Sequence, residues 1–276
     1  TMRITAQLIN EELDKHVWSD TWDRMIEDVF AILDEIGAAD VRELRVHLLG
    51  ELPHARETTP EAYSLYLQSR ALMINRTTDS FANARNLAEE AITLDPNYAP
   101  AWSRLGNIYI EGLKIGAFPY ETAYEGARKA SIKALELDDR DAVAHVVLSE
   151  IAIRNDLDVA AARQHMEKAL EFAPNSVAAL IQAGNVASVE GKFEAGLRYS
   201  IKATELDPIY SVGYVYVAFF QSALRNHQAA IAAMNTALEL RPSASGYHYY
   251  KAGEMILHGD YEGALAELEQ ETLAGF

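Results

Sequence analysis

Along most of this chain apolar residues recur at steps of three and four, which places them on one face of an α-helix. The clearest stretch runs from Ala99 to Tyr109, where Trp102, Leu105 and Tyr109 share a face and Gly106 leaves room for a second helix. The helical segments end on recurring punctuation. The run Ala91 to Pro96 returns as Ala134 to Asp139, Ala169 to Pro174, Ala203 to Pro208 and Ala237 to Pro242. Pro174, Pro208 and Pro242 stand 34 residues apart, and proline cannot continue a helix, so each marks a stop and a turn. Asp139, where proline is missing, also suits a turn. Gly191 and Gly259 stand where a helix needs a left-handed cap. Ala84, Ala127, Ala162, Gly196, Ala230 and Ala264 are the small residues expected where two helices cross.

The order Trp102-x-x-Leu105-Gly106-x-x-Tyr109 resembles the first half of a tetratricopeptide (TPR) repeat, and the spacing of the stops matches that repeat's period. Six repeats are expected, at 61–98, 99–141, 142–176, 177–210, 211–244 and 245–276. The fold class is therefore mainly α, a right-handed TPR α-solenoid preceded by a partial α/β segment. The second repeat is long. Gly112, Gly116 and Pro119 place about nine extra residues in the turn between its helices. The first repeat is slightly long around Arg76 to Ser80, and the third has one residue extra near Asp156.

Residues 1–50 follow another pattern. Arg3 to Ile9 alternates polar and apolar residues, Asn10 to Asp14 reads as a turn, and Lys15 to Trp22 reads as a second strand. Ile26, Val29, Phe30, Leu33 and Ile36, continuing to Leu48, predict a helix of about 25 residues. A lone hairpin with two open edges is marginal in water, so this segment reads as the last part of a larger α/β domain. Residues 51–60 form a linker, and Pro60-Glu61 opens the next helix.

The wording of Arg3 to Ile9, His16 to Arg24 and Asp28 to Ile32 resembles the end of the TolB-amino-terminal-like domain, and Pro60 to Arg70 is similar to that family's entry into its repeats. In bacterial regulators such a domain precedes TPR repeats and follows either a class III adenylate/guanylate cyclase domain or a winged-helix DNA-binding domain. The resemblance thus implies a signalling regulator whose effector domain lies upstream.

Composition narrows the partners. Apolar residues make up 49% and charged residues 24% of the chain, as in a folded, soluble protein, and no apolar run is long enough to span a bilayer. The chain has no cysteine, which excludes disulfides and thiolate zinc sites and agrees with a cytoplasmic location. A net charge of −17 argues against gripping nucleic acid; it reads as a solubility feature, with a basic partner as the sharper alternative.

In the TPR family the first helices of successive repeats line a concave groove. The resemblance places Ser103, Asn107, Glu111, Glu150, Arg154, Ile181, Asn185, Phe219 and Tyr249 there. In peptide-binding members an asparagine at the place of Asn107 and Asn185 grips a ligand backbone; the alternative is an asparagine bonded within its own helix. Chaperone-binding members hold a carboxylate terminus with several lysines and arginines, but here Arg154 is nearly alone, so that ligand is rejected. Tyr214, Tyr216, Phe219, Phe220, Tyr247, Tyr249 and Tyr250 form an aromatic cluster, read either as packing or as a patch for a partner or second copy.

No nucleophile elbow, phosphate loop or His-Glu-x-x-His motif occurs. Asn155 to Asp158 opens like a calcium loop, but the later ligands are not in place, so it reads as a turn. No catalytic residue, metal or cofactor is expected. The expected role is a non-enzymatic interaction module for a protein or peptide, with a homodimer through the open edges of the hairpin as a further expectation.

Overall fold

The computed structural model describes residues 2–10 and 15–24 by their backbone, and residues 58–273. The chain divides into two compact units, Thr1–Trp102 and Ser103–Phe276. The described residues are mainly α-helical, with twelve helices arranged as six consecutive pairs.

In the first unit, Met2–Asn10 (β1) and Lys15–Arg24 (β2) pair antiparallel, with Ile4 opposite Trp22 and Leu8 opposite Trp18. The helix expected over 26–48 and linker residues 51–57 lie outside the described residues. Helix α1 (Pro60–Leu72) starts as the sequence directs: Pro60 sits in the first turn, and the Thr59 side chain accepts from the Ala62 amide at 3.2 Å. Helix α2 (Thr78–Leu94) opens on a reciprocal capping box between Thr77 and Ser80. The connection is stretched by a single 3-10 turn, Met73–Asn75, and by Arg76 in the left-handed region at φ 49°. Ala84, Ala88 and Ala91 are fully buried, so α1 and α2 approach closely, and Tyr98 closes the end of the pair edge-on to Tyr66.

Helix α3 (Ala99–Lys114) leads into the second unit, which continues with α4 (Tyr120–Leu137), α5 (Ala142–Arg154), α6 (Val159–Phe172), α7 (Val177–Val189) and α8 (Phe193–Leu206). Helices α9 (Ser211–Ala223), α10 (His227–Leu240), α11 (Tyr247–His258) and α12 (Tyr261–Leu273) complete it. Asp141, Asp158 and Ser176 cap α5, α6 and α7 by accepting from the backbone N–H three residues on. The helix stops behave as the prolines predict. The amides of Ala173, Asp207 and Arg241 close the last helical bonds onto Ala169, Ala203 and Ala237, and the next residue, a proline, has no N–H to continue. Gly191 and Gly259 take the left-handed caps at φ 73° and 93°. From α5 onward each helix packs on the next, and α7 touches both α5 and α9, so the first helices form a row of their own.

The second pair corrects one expectation. Its extra residues are mostly helical: α3 has 16 residues where α5, α7 and α9 have 13, and α4 has 18 where α6, α8 and α10 have 14. Five residues, 115–119, form the turn. A single glycine at 112 costs a helix only about 1 kcal/mol, too little to stop it while its neighbours are packed. The true break is Gly116, at φ 74°. In the third pair the extra residue is absorbed at Leu157, at φ 57°, and Asn155 to Asp158 is a turn whose Asp158 caps α6.

The turns between pairs carry a repeated clasp. Trp102 Nε1 donates to the Pro96 carbonyl at 2.9 Å, His145 Nε2 to the Asp139 carbonyl at 3.2 Å and Tyr214 Oη to the Pro208 carbonyl at 3.2 Å. In each case the donor lies six residues after the turn carbonyl. Leu180 stands at the matching place in the fourth pair and has no donor; there Lys202 reaches the Pro174 carbonyl instead, at 2.9 Å.

Candidate groove between the first helices

The row of first helices in the second unit encloses a cavity of about 410 Å³, within the range of ligand pockets. Arg154 of α5 lies on its wall, followed by Asn185 and Ser188 of α7, Val215, Phe219 and Ser222 of α9, and Tyr250 and Glu254 of α11. Three of the expected groove residues, Arg154, Asn185 and Phe219, therefore meet around one space.

The polar members are positioned by bonds within and between pairs. Asn185 donates to Gln182 Oε1 at 2.9 Å, and Gln182 in turn donates to Ser149 at 3.4 Å. The Arg154 Nε stands 3.1 Å from Glu150 Oε1, with the guanidinium half-exposed. Glu254 accepts from or pairs with His227 Nδ1 at 3.0 Å across the pair boundary. Phe219 stays half-exposed and stands edge-on to the fully buried Phe220.

A second polar group lies along α3 and α5. Lys114 contacts Glu111 at 2.6 Å and Glu150 at 3.1 Å, so the buried Glu150 carboxylate faces both Lys114 and Arg154. Burial alone would push the Lys114 ammonium down, but Glu150 and Glu111 outweigh it and hold its pKa well above the usual lysine range. Asn107 accepts from Arg104 at 3.3 Å. Both asparagines thus hold a partner three residues back in their own helix, and Asn185 still has its carbonyl and one N–H to offer.

Other expected positions lie elsewhere. Ser103 and Ile181 are buried; Ile181 packs with Leu180 and Ala203 in the core. Ile181 packs inward because the buried face of this helix, which also takes in Leu180, Gln182 and Ala183, is wider than one stripe. Tyr249 is exposed and does not line the cavity; Tyr250 and Glu254 do, one step further around α11. His227, whose bond draws Glu254 inward, is the signal that the repeat pattern alone does not carry. Lys114 and Glu254 are missing from the sequence-derived set because Glu150 and His227, the partners that place them here, are 36 and 27 residues away. The aromatic cluster divides: Phe220 is core, Tyr214 clasps a turn, and Phe219, Tyr249 and Tyr250 keep large exposed surfaces.

No family model matches the chain. A 111-residue stretch is 34% identical to a putative adenylate cyclase 3 of Rhizobium meliloti, covering 39% of this chain and 19% of that protein. The chain thus spans about a fifth of that relative's length. Among solved structures, the TPR protein TTC0263 of Thermus thermophilus is similar with a TM-score of 0.55 and 18% identity, covering 74% of this chain and 99% of that one. Pseudomonas aeruginosa PilF gives a TM-score of 0.55 and 18% identity, over 64% and 77%. Human IFIT1, solved as a dimer with m7Gppp-AAAA, gives 0.66 and 14%, over 88% and 55%. At these identities the likeness concerns the fold, and it agrees with the capped helix pairs and glycine turns described above: the helices of this chain have the tetratricopeptide-repeat fold.

Proposed function

We propose that this region is a protein–protein interaction module of a bacterial signalling regulator, and that its second unit binds a peptide between the first helices of its pairs. The observation that carries this reading is the cavity of about 410 Å³ with apolar walls, ringed by Asn185, Ser188 and Ser222 as hydrogen-bonding groups. Such a surface holds a ligand by apolar anchors and fixes it by a few polar contacts, without chemistry. The test is a peptide-array screen followed by anisotropy titration with the best binder. Phe219→Ala and Asn185→Ala weaken binding by about tenfold or more each if the groove is the site. Unchanged affinity in both variants overturns it.

A second reading has its own support in the 34% identity to the putative adenylate cyclase. In it the region regulates a cyclase domain carried upstream in the same polypeptide. Cyclase assays of the longer polypeptide with and without residues 58–276 decide it: a changed rate supports regulation, and an absent or unaffected cyclase activity removes it.

A further inference from the structure

Resting on the groove reading above, we propose that the cavity takes a peptide of mixed charge, with an acidic residue at Arg154, a bulky apolar residue between Phe219 and Tyr250, and a basic residue at Glu254. Arg154 and Glu254 are the guanidinium and the carboxylate among the residues lining the cavity. They stand at opposite ends of the row, Arg154 on α5 and Glu254 on α11, with α7 and α9 between them. Each is tethered through one end of its head group. Arg154 uses Nε toward Glu150, which leaves its terminal nitrogens for a ligand carboxylate. Glu254 uses Oε2 toward His227, which leaves Oε1. Between the two charges Val215, Phe219 and Tyr250 make an apolar wall, and Asn185 offers a free carbonyl and N–H to a peptide backbone. A ligand with both charges satisfies both ends. A ligand with two charges of one sign meets repulsion at one end.

Four fluorescein-labelled nine-residue peptides with a central leucine test this. Their flanks are glutamate on one side and lysine on the other, glutamate on both, lysine on both, or glutamine on both. The mixed-charge peptide is expected to bind about tenfold tighter than the glutamine peptide at low salt, with the two uniformly charged peptides behind it. Glu254→Lys moves the preference to the all-glutamate peptide, a gain that misfolding does not produce. Arg154→Gln removes the advantage of the mixed peptide over the all-lysine one. Equal binding of the mixed and glutamine peptides overturns the charge order and leaves the groove reading standing. Binding by none of the four, together with a failed array screen, overturns both.

Discussion

The Phe220 ring occupies a notch made by Gly196, such that a Cβ at Gly196 would overlap the ring. Gly184 forms the other side of the notch, where an added Cβ would stand 3.2 Å from Phe220 Cε2. The fifth pair is thereby keyed into the fourth by its largest fully buried side chain.

Gly196→Ala is expected to cost about 1–3 kcal/mol by overpacking, and Phe220→Ala about 3–5 kcal/mol by leaving a cavity. In the double variant the added methyl fills part of the space that the ring vacates. Urea unfolding of the four proteins should therefore give a double-variant loss smaller than the sum of the single losses. Additive losses would mean that the two residues do not share the notch.

His145 and His165 meet Nδ1 to Nδ1 at 2.9 Å, inside the third pair. The Asp139 carbonyl can only accept, so His145 carries its proton on Nε2 and accepts from His165 at Nδ1. A proton added at His145 Nδ1 would point two N–H groups at each other. Burial pushes both imidazoles below their ordinary 6.5, with Lys168 acting in the same direction on each and Asp139 and Asp141 opposing it at His145. A lowered folded-state pKa means that the pair contributes fully above pH 6.5, where both states are neutral. The contribution falls as pH drops below that value and the unfolded chain takes up protons first. The urea midpoint is expected to fall from pH 7 to pH 5, and to fall less in His165→Asn. Parallel profiles would remove the pair from the pH dependence.

Glu271, at the end of α12, accepts from the Gly246 amide at 2.6 Å and the Tyr249 amide at 3.2 Å, capping α11 from another helix. Its side chain is buried, so Glu271→Ala orphans two amides and costs about 1–3 kcal/mol. Hydrogen exchange should quicken over 246–250 while the amides of α7 keep their protection. Uniform protection loss or none would show that the carboxylate does not act as a local cap.

Much of this arrangement was legible in the residues because it depends on local rules. Proline after Ala173, Asp207 and Arg241 ends helices whatever surrounds it, and the glycine turns at Gly191 and Gly259 need no distant partner. Alanine at the crossings was readable for the same reason. Gly112 misled because one glycine is a weaker break than the packing on either side of it. Ile181 lies in the core and Tyr249 outside the cavity because repeat spacing fixes a residue's place along a helix more closely than its angle around it. The His145–His165 contact and the Glu254–His227 bond were out of reach, since nothing local in the chain says which imidazole meets which group 20 or 27 residues away.

The clasp on the turn carbonyl has a consequence for how such an array varies. Tryptophan, histidine and tyrosine serve equally at one place, because the turn asks for a ring that carries a donor and not for a particular ring. Where Leu180 lacks one, a lysine on another helix takes over the duty. The rule constrains an atom's position and leaves the letter free, so repeats can diverge from one another residue by residue while four of the five joints keep a side-chain bond to the turn carbonyl; at the fifth, His248 turns to Glu267 instead.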